Sequence, residues 1–135
     1  MSTTATETTS LIAFTLPSNP YSVQMARFYV RAALNYHDLG AYCEEAETVT
    51  SELVTNAITH ANGTTISLEV MQLEASGAVS VIVADASPDP PVMRSPASDL
   101  EHWRGLHIVQ ALSTRWGWTP QDKGKAVYAI LTGKA

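Results

Sequence analysis

The segment from Glu52 to His60 (Glu-Leu-Val-Thr-Asn-Ala-Ile-Thr-His) holds the residues whose types and spacing best suit chemistry. On a helix, Glu52, Asn56 and His60 line one side, since they stand at i, i+4 and i+8. Glu52 and Asn56 then border the apolar stripe of Val49 and Leu53, where a carboxylate can accept a proton and an amide oxygen can bind magnesium. Spacing alone favours an ordinary alternative: surface charge, a helix-packing amide and a histidine that interacts with the helix dipole.

A second candidate, Asp85, ends the apolar run Val81-Ile-Val-Ala and precedes Ala86-Ser-Pro. An aspartate at the end of a buried strand can accept hydrogen bonds from a ligand's amino group. Aspartate and proline are also typical of a simple turn at the end of a strand. The sequence leaves both interpretations open.

A third candidate is the pair Arg104-Gly105, which precedes the apolar run Leu106 to Leu112. The free N–H groups and the dipole at a helix start attract phosphate, and glycine lets the backbone approach an anion closely. Many helices begin in this way without binding a ligand.

The elements that must position these candidates follow from hydrophobic periodicity and from turn residues. They are a strand over Leu11–Leu16, a helix capped by Ser18 or Asn19 that runs to about His37, a helix from after Gly40 to about His60, hairpin strands Thr64–Leu73 and Val79–Ala84, a helix over Gly105–Leu112, and strands Thr114–Trp118 and Ala126–Leu131. Residues 86–103 contain four prolines and are predicted to form a mobile lid. The order predicts an α+β fold, a two-layer α/β sandwich with about three helices on one face of a mixed, largely antiparallel sheet.

Composition excludes several classes of protein. The chain has 135 residues, 45 % of them apolar, and a net charge of −5, so we expect one domain without a nucleic-acid-binding surface. No apolar run approaches the ~20 residues of a membrane span, and the polar N-terminus is not a secretion signal. Residues 1–10 are predicted to be a disordered tail before a single domain over 11–135. The lone Cys43 cannot form an intramolecular disulfide, which fits the cytoplasm.

Taken in this order, the three segments resemble the N, G1 and G2 boxes of the GHKL (Bergerat-like) ATP-binding fold. Glu52 to His60 is similar to the N box, Asp85-Ala-Ser-Pro-Asp-Pro-Pro to the G1 region, and Arg104-Gly-Leu-His-Ile-Val to the G2 box. Gly124-Lys-Ala-Val-Tyr-Ala-Ile-Leu resembles the closing strand. The likeness covers roughly residues 11–132 and is strongest to single-domain bacterial anti-sigma factors with serine protein kinase activity.

This resemblance implies ATP and Mg²⁺ as cofactors and a role for each matching residue. Glu52 is implied to be the general base, and Asn56 to bind magnesium and the nucleotide. Asp85 is implied to accept a hydrogen bond from the adenine amino group. Nucleotide binding is also implied for Arg104, Gly105 and Leu106, and the first two of these would contact the phosphates. The implied partners are an anti-anti-sigma protein, whose serine is phosphorylated, and a sigma factor that is held inactive. Relatives dimerise, so a homodimer is compatible with the resemblance.

Two departures from the family pattern keep a second function open. Glu101-His-Trp103 stands where members commonly have glycines, and Ala126 stands where relatives often carry a threonine that assists adenine binding. The first hypothesis is therefore a magnesium- and ATP-dependent serine kinase. The second is a non-catalytic module that sequesters a regulator with weak or no nucleotide binding. A third and weaker hypothesis is a small-ligand binder unrelated to ATP.

Overall fold

The computed structural model describes residues 7–60, 65–89 and 107–133. In chain order the elements are β1 (Thr8–Pro17), α1 (Tyr21–Tyr36), a 3₁₀ turn (Gly40–Tyr42), α2 (Cys43–His60), β2 (Thr65–Leu73), β3 (Val79–Asp85), β4 (Ser113–Gln121) and β5 (Gly124–Leu131). Residues 107–112, directly before β4, are helical and are called α3.

The strands form one sheet in the order β1-β2-β3-β5-β4. Every neighbouring pair is antiparallel. In the turn between β2 and β3, Gly77 has a φ of 77°, a left-handed conformation that glycine adopts without steric cost. Residues 122–123 form the turn between β4 and β5.

The core lies between the helices and one face of this sheet. Alternate strand residues point to it, as the period of two in a strand requires: Ile66, Leu68 and Val70 from β2, Val79, Val81 and Val83 from β3, and Val127, Ala129 and Leu131 from β5. The helices contribute Ala26, Val30 and Leu34 from α1 and Val49, Leu53 and Ala57 from α2. This arrangement confirms the predicted α+β sandwich, with helices on one face of an antiparallel sheet.

The start of β1 corrects the predicted tail. Thr8, Thr9 and Ser10 pair with residues 71–73 of β2, so the strand begins three residues before the predicted Leu11. The hydroxyl of Thr9 also donates a hydrogen bond to the carboxylate of Glu74. The prediction relied on the absence of bulky apolar side chains, but backbone pairing with a neighbouring strand does not require them.

The prediction for β4 was too short. The sequence predicts a strand over Thr114–Trp118, whereas β4 continues through Pro120, which lies opposite Lys125. A proline is tolerated there because β4 is the edge strand of the sheet. Trp116 and Trp118 are partly buried against the core.

The predicted lid lies mostly outside the described residues, which stop at Asp89 and resume at His107. Among the residues that the structure describes, no helix has both the length and the apolar character of a membrane span.

Candidate functional site

The candidate site lies at one edge of the sheet, where several element ends meet. β3 ends at Asp85, and its two antiparallel neighbours begin there, β5 at Gly124 and β2 at Thr65. Helix α2 ends at His60, shortly before β2 begins, and packs over β2, β3 and β5. The C-terminal half of α2 is therefore held above the strand end that carries Asp85.

Helix α2 places Glu52 and Asn56 as the spacing predicts. Both side chains are half-buried, next to Leu53 and Ala57, which are 3 % and 2 % exposed. The amide nitrogen of Asn56 is itself buried. The half-buried position of Glu52 agrees better with the rim of a site than with an ordinary solvated charge. The side chain of His60 is outside the part of the chain that the structure describes.

Asp85 forms a buried ion pair with Lys125. The Lys125 Nζ lies 3.0 Å from the Asp85 Oδ1, and the two side chains are only 6 % and 4 % exposed. The backbone N–H of Ser87 donates to the same oxygen at 2.9 Å. Lys125 Nζ also donates to the Ser87 carbonyl at 3.4 Å, which holds the chain after β3 against β5.

The register of β3 and β5 produces this pair. Asp85 is directly opposite Lys125, and Val83 is directly opposite Val127, so all four side chains share the face that bears the helices. Within the described part of the chain, both hydrogen bonds to the Asp85 carboxylate end on Oδ1. The Oδ2 atom is therefore the acceptor that Asp85 can offer to a ligand.

Gly124 allows the close approach of β5 to the end of β3. A Cβ on Gly124 would lie 1.9 Å from the carbonyl oxygen of Asp85 and 2.9 Å from the Cα of Ala86. Neither of these backbone atoms can move as a flexible side chain would. The strand end that carries Asp85 therefore requires a glycine at position 124.

The family of histidine kinase-like ATPase domains matches residues 16–131, from the end of β1 to the end of β5. The chain belongs to this family. The match confirms the GHKL-type ATP-binding domain that the ordered motifs predict. It spans α2 and the strand end at Asp85, the elements that form the candidate site of this ATPase domain.

The fold of the ATPase domain is similar to that of a solved structure, the crystal structure of the RsbU and RsbW domains of Rv1364c from Mycobacterium tuberculosis. The TM-score is 0.65 at 18 % sequence identity, and the match covers 93 % of this chain and 32 % of that chain. This chain thus spans about a third of the length of that one, and the likeness concerns the fold. The comparison with curated proteins finds no match.

Three of the predicted site residues lie on one side of the sheet of the ATPase domain, and the other three lie outside the described residues. Glu52 and Asn56 on α2 lie on the same side of the sheet as Asp85. Arg104, Gly105 and Leu106 are outside the described residues, although the helical residues that follow them are anchored. Val109 is fully buried, and the N–H of Thr132 donates to the Leu112 carbonyl at 3.0 Å.

The side chains at this edge suit a nucleotide better than a metal bound by protein alone. Among the described residues, no three His, Cys, Asp or Glu side chains group as metal ligands. Magnesium commonly keeps waters and substrate phosphate oxygens in its shell, so a single protein oxygen such as that of Asn56 is sufficient. The Asp85 Oδ2 atom can accept from an amino group. These residues therefore fit magnesium together with ATP.

Sequence reasoning missed Lys125 and examined Ala126 instead. In the structure Ala126 is opposite Ala84, on the face away from the helices, so a threonine at position 126 would not point toward Asp85. The residue that faces Asp85 is Lys125. The signal that could have found it is a lysine on the buried face of an apolar strand, because a lysine there needs a partner.

Proposed function

We propose that this ATPase domain binds magnesium-ATP and transfers the γ-phosphate to a serine of an anti-anti-sigma protein, and that it also holds a sigma factor inactive. The observation that carries the proposal is the half-buried pair Glu52 and Asn56 on α2, the helix that packs over β2, β3 and β5. This function places the chain in the cytoplasm, where its partners act on transcription.

In this proposal the strand end recognises the base. The Asp85 Oδ2 atom accepts a hydrogen bond from the adenine amino group, while Lys125 and the Ser87 N–H hold the carboxylate through Oδ1. Arg104, Gly105 and Leu106 bind the phosphates, as the family resemblance implies, and Asn56 contributes an oxygen to magnesium. When bound, magnesium neutralises part of the phosphate charge.

Glu52 acts on the protein substrate. Its carboxylate accepts the proton of the serine hydroxyl as the serine oxygen forms a bond to the γ-phosphorus. The bond between that phosphorus and the oxygen bridging to the β-phosphate breaks, so the products are phosphoserine and ADP. Because phosphoryl transfer depends on positioning and charge, Glu52 also orients the hydroxyl for in-line attack.

A second candidate function is the non-catalytic sequestering module, and the Asp85–Lys125 pair favours it. A buried lysine occupies one oxygen of the carboxylate that would recognise adenine, at 3.0 Å. The base must therefore bind to an acceptor whose charge is already compensated, which weakens a charge-assisted hydrogen bond. In this second function the ion pair serves to hold the strand end, and nucleotide binding is weak or absent.

The deciding experiment measures transfer of labelled γ-phosphate to a cognate anti-anti-sigma protein. We expect Glu52→Ala and Glu52→Gln to reduce the transfer rate by ~10²–10⁴-fold while magnesium-ATP binding persists, since loss of a general base affects the chemical step. Asn56→Ala should weaken magnesium-dependent ATP binding as well. Glu44→Gln is the matched control, because Glu44 is exposed on the first turn of the same helix.

If the unmodified protein binds a sigma factor but transfers no phosphate, the kinase assignment is wrong and the sequestering function stands. If Glu52→Ala and Glu44→Gln transfer phosphate equally fast, Glu52 is not the base.

A further inference from the structure

An apolar stripe on α1 faces solvent. The large hydrophobic side chains that are exposed within the described residues all belong to this helix: Tyr21 at 83 %, Met25 at 44 %, Phe28 at 57 % and Tyr36 at 83 %. At about 100° per residue these four positions fall on one side of α1, opposite the side that carries the buried Val30. We call this set the α1 stripe. An exposed apolar set of this kind on a helix is typical of an interaction site.

A basic groove adjoins the α1 stripe. Arg27 and Arg31 are 49 % and 52 % exposed, and both approach the carboxylate of Glu47, at 3.5 Å and 3.8 Å. A cavity of about 550 Å³ lies between them, and Phe28 and Gln24 contribute to its lining. Phe28 thus belongs to the α1 stripe and to the groove, which makes the two surfaces continuous.

The charges of this surface are unbalanced. Helix α1 contains two arginines and no acidic residue. Each guanidinium has five N–H donors, and one Glu47 carboxylate cannot satisfy both groups. The groove therefore keeps a net positive charge in a protein whose overall charge is −5.

We propose that the α1 stripe and its basic groove bind an amphipathic helix of another protein, with an apolar side that covers the stripe and carboxylates that reach Arg27 and Arg31. An apolar helix face with flanking charges recognises a complementary helix in this way. Nothing in this surface involves nucleotide, and it lies on α1 rather than at the Asp85 strand end. The proposal therefore stands or fails independently of the proposed kinase activity.

A second copy of this chain is a poor occupant of the same surface. In a two-fold interface the same patch meets itself, so each copy would bring two arginines of α1, and no acidic residue of that helix, into one interface. Like charges that meet in this way oppose association. A partner with acidic residues removes that conflict, because its carboxylates accept hydrogen bonds from the N–H groups of Arg27 and Arg31 that Glu47 leaves unsatisfied.

The test uses two fluorescent synthetic peptides and the full chain without nucleotide. Both are helical and carry leucines at i, i+3, i+4 and i+7, with glutamates flanking the leucines in one peptide and lysines in the other. Fluorescence anisotropy should show binding of the glutamate peptide, weakened by added salt. The lysine peptide should bind at least ~tenfold more weakly.

Charge reversal supplies the specificity control. The double variant R27E/R31E should reverse the preference and bind the lysine peptide more tightly. Tyr21→Ser, a change at a position that is 83 % exposed, should weaken binding of the glutamate peptide without lowering the melting temperature. Arg115→Glu makes one such charge reversal at an exposed position on β4 and should leave the preference between the peptides unaltered.

Four outcomes of the peptide and sedimentation experiments overturn the proposal, and a fifth would come from lipid vesicles. They are the absence of glutamate-peptide binding, equal binding of the two peptides, a preference that R27E/R31E leaves unchanged, and a concentration-dependent dimer that the Tyr21→Ser variant abolishes in sedimentation. Binding to phosphatidylglycerol vesicles without any preference between the peptides would instead indicate a lipid surface, and it also contradicts the proposal.

Discussion

Replacing Lys125 with methionine tests the buried ion pair on which the candidate site rests. Methionine keeps an unbranched, flexible stem of comparable length but removes the charge and the donors. In the variant K125M the Asp85 carboxylate, 4 % exposed, loses its counter-charge at 3.0 Å and keeps one hydrogen bond, from the Ser87 N–H. The folded state must then bury a carboxylate without a cation.

The expected loss of unfolding free energy in K125M follows from the burial of both Lys125 and Asp85. Removing one member of a buried ion pair costs about 3–5 kcal/mol, because the remaining charge is left uncompensated. The Ser87 N–H continues to stabilise the carboxylate, so we expect the lower end, about 3 kcal/mol of unfolding free energy. In a domain of this size that corresponds to a fall in melting temperature of roughly 10 °C.

Urea unfolding of K125M, D85N and the double variant K125M/D85N measures the pair directly. The double variant removes both charges, so its loss of stability should be smaller than the sum of the two single losses. Lys123→Met is the matched control, since Lys123 is exposed in the neighbouring turn and its replacement should change stability by less than about 0.5 kcal/mol. The reasoning would be refuted if K125M and Lys123→Met lost the same unfolding free energy. It would also be refuted if the loss in the double variant K125M/D85N equalled the sum of the losses in the two single variants.

Three further predictions concern the same molecule. Asp85→Asn replaces one carboxylate oxygen with an NH₂ donor, so calorimetry should show ATP affinity reduced by about 1–3 kcal/mol, roughly 5–150-fold; unchanged affinity would remove Asp85 from the site. Gly124→Ala should destabilise the domain by about 1–3 kcal/mol in thermal unfolding, because the new Cβ would lie 1.9 Å from the Asp85 carbonyl oxygen, and an unaltered melting temperature would contradict that approach. Burial, followed by the charge of Glu47, raises the pKa of the Cys43 thiol above its ordinary value. The folded state therefore favours the neutral thiol, and its contribution is complete below the unfolded pKa and lost as pH rises through the folded pKa. In urea unfolding, the stability of the unmodified protein relative to Cys43→Ala should accordingly decline as pH rises above the ordinary thiol pKa of about 8.5, and a difference that stays constant with pH would contradict this prediction.

The sequence by itself determined the elements and the family. The helical period identified α1 and α2, and alternation with a Gly77 turn identified the β2–β3 hairpin, because these signals are local. Glu52 and Asn56 could be placed on the border of an apolar face for the same reason, and the structure shows both half-buried. The ordered motifs predicted the ATP-binding family, and the family match over residues 16–131 confirms it.

Local sequence patterns could not predict the pairing between strands that are distant in the chain. The strand at Thr8–Ser10 depends on hydrogen bonds to β2, which polar residues form as well as apolar ones. The inclusion of Pro120 in β4 depends on the edge position of that strand, which no local pattern reveals. The packing of α2 and β1 against α1 decides which apolar residues of α1 are buried. The exposure of Phe28 and Tyr36 is therefore visible only in the folded structure.

The partner of Asp85 is the clearest case of a contact that only the tertiary structure decided. Lys125 is 40 positions further along the chain, and it faces Asp85 because β3 and β5 pair in one particular register. A register shifted by one residue would point Ala126 toward the helices and Lys125 away from them, since side chains alternate between the faces of a strand. That register is set by the packing of valines across the whole sheet and by the close approach at Gly124. Both are properties of the assembled layers and are absent from either segment alone.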